Sequence, residues 1–105
     1  MQEKQHPVAP EIVDQIGRTI RETMEPFGLR SVAVRPGEDH DGDPVIFVVV
    51  EYELSDRPLE LGITGKVASA VRELVWKAGE GRFPHIRHKF HEKQRVAKPA
   101  RRGRG

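Results

Sequence analysis

The sequence predicts an α+β fold: a three-stranded sheet with two helices on one face, in the order αββαβ. Two segments carry apolar residues at helical spacing, and three carry the alternation or the apolar run of a strand. Packing both helices on one face of the sheet buries both apolar stripes together. The opposite face is then left partly open and available for binding. With 105 residues, the chain has the size of one domain.

The first helix is predicted to begin at Pro10 and Glu11, because proline and an acid both suit a first helical turn. Pro26 and Gly28 end it. Its apolar face recurs every four positions, at Ile12, Ile16, Ile20 and Met24. Residues 1–7, which precede it, are predicted to be a flexible leader.

Two strands are predicted next, over residues 29–35 and 45–54, with a polar loop at 36–44 between them. Residues 45–50 are apolar at every position and so on both faces of the strand, which indicates a central strand of the sheet. Apolar and polar residues alternate at the end of this second strand, so one of its faces is expected to be exposed to solvent there.

A second helix is predicted over residues 64–78, after a turn at 55–58. Its apolar stripe consists of Val67, Val71, Leu74, Val75 and Ala78. A third strand is predicted over residues 83–90. One of its faces carries Ile86, His88 and Phe90, and the other carries His85, Arg87 and Lys89.

The charge of the chain is unevenly distributed. Residues 93–105 contain six basic residues and no acid, whereas the whole chain has a net charge of +2, so residues 1–92 carry −4. We therefore expect a single α+β domain at 8–92 and a disordered basic tail at 93–105. Basic tails usually contact polyanions, above all nucleic acids, although some only add solubility. The basic residues of the tail are Lys93, Arg95, Lys98, Arg101, Arg102 and Arg104.

A Gly-x-x-Gly turn, Gly62-Ile63-Thr64-Gly65, leads into the second helix and is followed by Lys66. Glycines let a phosphate approach the backbone, and a helix N-terminus favours an anion. With the element order, this turn resembles type II KH domains, the small RNA-binding α+β fold, and the layout is similar to that of ribosome-binding factor A. The resemblance implies that the turn contacts an RNA backbone. The alternative is a plain loop in which glycine supplies a positive φ.

The outward face of the third strand offers a second basic patch. Arg87 and Lys89, with His85, would extend the positive charge of the tail. The alternative is a charged edge strand that discourages pairing between molecules. Together these features predict a non-catalytic, RNA-associated protein whose partner is RNA or the ribosome.

Trp76 supports a different function. It lies nearly opposite the apolar stripe of the second helix, and Arg72 precedes it by one turn. An exposed tryptophan beside an arginine is a typical interface anchor. The alternative function is therefore a protein-interaction module or accessory subunit, including a homodimer, that uses Trp76 and the open sheet face. The alternative is that the leader or the tail covers Trp76, in which case Trp76 is not available as an interface anchor.

Residues for catalysis or metal binding are not predicted. The chain has no cysteine, and no nucleophile–base pair is recognisable, so we expect no enzyme and no cofactor. His85, His88 and His91 do not converge on a strand, which argues against a metal site. Asp39, Asp41 and Asp43 alternate, but they lack the glycine and glutamate of a calcium-binding EF-hand.

Membrane insertion is not expected either. The longest apolar run, residues 45–50, is far shorter than the ~20 residues of a membrane span. The polar N-terminus lacks the apolar stretch of a secretory signal. We expect a cytoplasmic protein.

Overall fold

A computed structural model describes residues 6–93, which form two α-helices and one three-stranded mixed sheet. The helices are α1, Pro10–Met24, and α2, Ile63–Lys77. The strands are β1, Leu29–Glu38, β2, Pro44–Tyr52, and β3, Phe83–Lys89. A short 3-10 turn, Glu25–Phe27, follows α1. The predicted α+β class and the order αββαβ are confirmed.

The sheet has the strand order β1-β2-β3, with β2 antiparallel to β1 and parallel to β3. The prediction that the second strand is central is therefore confirmed. Because β2 and β3 are parallel, α2 has to return the chain along the sheet between them. As a result, α2 begins at the end of the sheet where β2 and β3 finish, and it ends where they start.

The core lies between the two helices and one face of the sheet. Both helical stripes and the inward residues of the central strand are almost fully buried in one cluster. They are Ile12, Ile16, Ile20 and Met24 of α1, Ile63, Val67, Val71 and Val75 of α2, and Ile46, Val48 and Val50 of β2. Burying each of these side chains contributes about 1.5–3 kcal/mol of transfer free energy. Both helices therefore cover the same face, as predicted.

The first strand extends further than the sequence predicts. Residues 36–38 were expected in the loop but continue β1. Proline is tolerated at Pro36 because β1 is an edge strand. At Gly37, an added Cβ would lie 2.3 Å from Cε2 of Phe47, so glycine lets the phenyl ring rest against the backbone. The other boundaries differ by one or two residues: β2 ends at Tyr52, and α2 spans 63–77.

The aspartates of the predicted loop build the hairpin turn between β1 and β2. The Asp39 carboxylate accepts hydrogen bonds from the backbone N–H groups of Asp41 and Asp43, both at 2.9 Å. Gly42 has a φ of +85°, which the turn requires. The N–H of Asp43 lowers the pKa of Asp39 below its usual value, because it stabilises the ionised carboxylate. The alternating acids are thus explained by the turn.

Candidate nucleic-acid interface

The face of the sheet opposite the helices carries the row Gly37–Val45–Phe83 nearest the hairpin and three further cross-strand rows of side chains, and we call it the open face. The strand register aligns these rows. From the hairpin end onward the three further rows are Arg35–Phe47–His85, Ala33–Val49–Arg87 and Ser31–Glu51–Lys89. Within the described part of the chain, no helix covers this face. The sequence-predicted patch of His85, Arg87 and Lys89 is therefore one edge of a larger surface.

The open face is positively charged. Arg35, Arg87 and Lys89 are exposed, and none of them forms an ion pair among residues 6–93. Glu51 is the one acid of the three rows, and it accepts a hydrogen bond from Oγ of Ser31 at 3.4 Å. The excess of cations makes the face suited to an anionic ligand.

The open face is also concave. A hollow of about 240 Å³ and another of about 150 Å³ lie side by side and share Arg35, Val49 and Arg87 in their walls. Phe47 and His85 line the smaller hollow, and their ring centroids are 6.0 Å apart. The two hollows form a shallow trough across the sheet in which cations alternate with apolar and aromatic groups.

The Gly-x-x-Gly turn lies at the end of the sheet where β3 finishes. Gly62 is the residue before α2 and has a φ of +83°, whereas Gly65 lies within the first helical turn. Lys66 is exposed. A Cβ added to Gly65 would meet no atom within 4 Å, so the fold itself does not require glycine there. The turn and Lys89 therefore lie at the same end of the sheet. The turn is on the side that the helices cover, and Lys89 is on the open face.

The tail begins at this same end. Lys93 is exposed, four residues after the end of β3. The predicted binding residues Arg95, Lys98, Arg101, Arg102 and Arg104 lie outside the described residues.

Trp76 is exposed, as its position on the helical wheel predicts: 81% of its surface is accessible. Trp76 and Arg72 line one groove of about 410 Å³ between the C-terminal end of α2 and the start of β3. Phe83, which is 51% exposed, forms part of the same groove. We call this the Trp76 groove. The sequence reasoning missed the contribution of Phe83.

An ion pair stands at the edge of the Trp76 groove. Nε and Nη2 of Arg82 donate to the two carboxylate oxygens of Glu80, at 2.7 and 3.0 Å. This bond lowers the pKa of Glu80 and raises that of Arg82. Nη1 of Arg82 also donates to the backbone oxygen of His6 at 2.6 Å, which ties the segment before α1 to the start of β3.

On the helix side of the sheet, His88 lies in an aromatic cluster. Its Nδ1 is 2.7 Å from the hydroxyl oxygen of Tyr52, and the ring of Phe90 stacks against both side chains. Burial lowers the pKa of His88 and raises the pKa of Tyr52. The neutral imidazole and the tyrosine hydroxyl therefore share a hydrogen bond on the inner side of the sheet. His88 belongs to the inner face, as the alternation predicts.

Two residues of the open face, Arg35 and Phe47, were not among the sequence-predicted site residues. The alternation in β1 was a usable signal, because Arg35 is out of phase with Val32 and Val34. For Phe47 the signal was masked, because it lies in a run of apolar residues in which both faces look buried.

Within residues 6–93, no three histidine or acidic side chains lie close enough together to hold a metal ion. None of the described helices has the length and apolar content that a membrane span requires. A scan against known family models found no match to the chain, and neither did searches of curated proteins and of solved structures. The resemblance to type II KH domains and ribosome-binding factor A stays a prediction.

Proposed function

We propose that this chain is a non-catalytic, cytoplasmic RNA-associated protein that binds the nucleic-acid backbone through its open face. The observation that carries the proposal is the set of three exposed cations without ion-pair partners, Arg35, Arg87 and Lys89, around a trough with a single acid. Phosphate oxygens are natural ligands for such cations, and contacts to them dominate nucleic-acid affinity.

The Gly-x-x-Gly turn adds a second contact in this proposal. Gly65 has room around its Cβ position, and glycine in a helix is less stable than alanine by roughly 0.5–1 kcal/mol. An external ligand that approaches the backbone would explain why glycine stands there. Lys66 then adds a charge beside the first turn of α2, and the tail adds six more.

The test is the salt dependence of RNA binding. We would measure the fluorescence anisotropy of a labelled 12-nucleotide RNA between 50 and 300 mM salt, for the wild type and for the double variant Arg87→Gln, Lys89→Gln. We expect weaker binding and a slope of log K against log salt that is shallower by about 0.7 for each lost phosphate contact, the value for single strands.

The matched control is the double variant Arg18→Gln, Lys77→Gln. It removes the same charge from the helices, where both side chains are exposed. The proposal predicts that this control retains most of the wild-type affinity. Equal losses in the two double variants would contradict a defined binding face, and no binding by the wild type would contradict the function.

A second candidate function is self-association through the Trp76 groove. Trp76 and Phe83 expose two aromatic side chains around one hollow, and buried aromatic groups are the usual anchors of an interface. In this alternative, the chain is a protein-interaction module that forms a homodimer, with Arg72 at the rim.

Sedimentation over a hundredfold range of concentration tests this candidate. Trp76→Ala should shift the protein toward monomer and leave the stability of the monomer, measured at low concentration, unchanged, because the side chain is 81% exposed and contributes little to the core. Leu61→Ala is the control, since Leu61 is also exposed but precedes α2, at the far end of the helix from the groove. A wild-type protein that is monomeric at every concentration would rule the homodimer out.

A further inference from the structure

The row Arg35–Phe47–His85 combines aromatic rings with positive charge on the open face. Phe47 is half-buried, and its ring rests on the backbone at Gly37, where an added Cβ would lie 2.3 Å from the ring. The ring is thus held on the sheet surface and lines the hollow of about 150 Å³. His85 is exposed beside it, and the ring of Phe83 meets His85 edge-on at 5.2 Å.

We propose that this row is a stacking platform for an unpaired base, so that the preferred ligand of the open face is single-stranded RNA. The inference rests on the proposed function and names its substrate class. A base entering the small hollow would stack on Phe47 and His85, between Arg35 and Arg87. Its phosphates would then follow the adjacent cations toward Lys89.

The geometry favours a single strand over a duplex. Bases are available for stacking on aromatic rings only where they are unpaired, whereas a double helix presents phosphates and groove edges. Phosphate contacts to Arg87 and Lys89 serve both ligands equally. The aromatic rings of the row contribute only to binding of a single strand. Substitution of Phe47 therefore distinguishes single-stranded RNA from duplex RNA as the ligand.

The experiment compares labelled oligo(U) of 12 nucleotides with an RNA duplex of the same number of phosphates. Phe47→Leu should weaken oligo(U) binding roughly 5- to 150-fold, the range for loss of one base–aromatic stack, and leave duplex binding and the salt slope unchanged. Leu54→Ala is the control, because Leu54 is exposed beyond the end of β2 and away from the row. Circular dichroism checks that each variant is folded.

A second variant gives a readout that does not depend on the folding of Phe47→Leu. With Trp76→Phe as background, Phe47→Trp places the only tryptophan of the chain in the row. Oligo(U) should then quench its fluorescence, whereas inorganic polyphosphate should bind without quenching. Quenching by both, or by neither while oligo(U) binds, would overturn the stacking platform.

The outcomes separate this inference from the proposed function. If Phe47→Leu binds oligo(U) like the wild type, or the duplex binds as tightly as oligo(U), the platform is wrong. If the platform fails but the double variant Arg87→Gln, Lys89→Gln still weakens binding of both oligo(U) and the duplex, the proposal of backbone binding stands without the stacking platform. If neither RNA binds to the wild type, both proposals fail.

Discussion

His88 packs beside the rings of Tyr52 and Phe90 on the inner side of the sheet. Burial lowers its pKa from the ordinary value of 6.5, and the Tyr52 hydroxyl bonds to Nδ1 of the neutral ring. The unfolded chain therefore binds a proton at a higher pH than the folded chain does. Between the two pKa values, the free energy of unfolding rises with pH.

The expected result is a loss of stability as the pH falls below about 6.5, the ordinary pKa of a histidine side chain and hence that of the unfolded chain. Urea denaturation at pH 7.5, 6.5, 5.5 and 5.0 measures it. His88→Gln should flatten this dependence in the window just below pH 6.5, whereas His85→Gln on the exposed face should leave it intact. If His88→Gln keeps the wild-type slope, the buried imidazole is not the titrating group.

Replacing Gly28 or Gly65 by alanine is expected to change the stability of the fold in opposite directions. Gly28 has a φ of +88°, and a Cβ there would lie 2.5 Å from the backbone oxygen of Glu53, so Gly28→Ala should destabilise the fold by about 1–3 kcal/mol. Gly65 has helical backbone and open space, so Gly65→Ala should stabilise it by about 0.4–1 kcal/mol.

Chemical denaturation compares the two glycine variants directly. The same Gly65→Ala protein also tests the turn, because an added methyl group hinders phosphate approach while the fold improves. A destabilised Gly65→Ala protein would mean that the glycine has a role within the chain.

At the scale of the elements, the side chain of Arg82 links the start of β3 to the segment before α1. Arg82 bonds to Glu80 through two nitrogens and to the backbone oxygens of His6 and Pro7. Its side chain is only 14% exposed, so water weakens these bonds less than it weakens a surface pair. Val8, the next residue, is buried in the core.

We expect Arg82→Gln to lower the free energy of unfolding by about 1.5–3 kcal/mol, the range for hydrogen bonds to a charged group. Hydrogen exchange should show the faster exchange first at residues 6–13. Arg72→Gln is the control, because Arg72 lines the same groove but forms no ion pair within the described chain. Equal stability of the two variants would show that the Arg82 bonds contribute little.

The elements themselves were largely predictable from the sequence. The four-residue spacing of α1 predicts its buried face, and the structure buries those residues. The apolar run of β2 is less informative, because Phe47 and Val49 within it are only half-buried on the open face. The extension of β1 through Pro36 and Gly37 was not predictable, because both residues normally indicate a turn. Their place in the strand depends on an edge position and on the ring of Phe47, which are tertiary features.

At the scale of the whole molecule, the site was predictable only in part. Arg87 and Lys89 were found because β3 alternates, whereas Arg35 belongs to the same surface only through the register of β1 with β2. Sequence spacing does not contain the order of the strands. The sequence therefore predicts the cations on the β3 edge of the open face, but it does not predict the trough that the three strands form together.

The charge distribution of the molecule gives the last prediction. The tail supplies six basic residues, and it follows β3 at the end where Lys89 and the Gly62–Lys66 turn lie. RNA that crosses the open face is then within reach of the tail. For single strands, each neutralised phosphate contributes about 0.7 to the salt slope, so removing residues 93–105 should make the slope shallower by up to about 4.

Anisotropy with the 12-nucleotide RNA measures this slope for the full chain and for the variant that lacks residues 93–105. A third protein, in which the six basic tail residues are replaced by serine, separates charge from length. We expect both altered proteins to bind more weakly and to the same degree, because the contribution is electrostatic. If both bind as tightly as the full chain, the tail takes no part in binding, and the open face with the glycine turn accounts for the affinity alone.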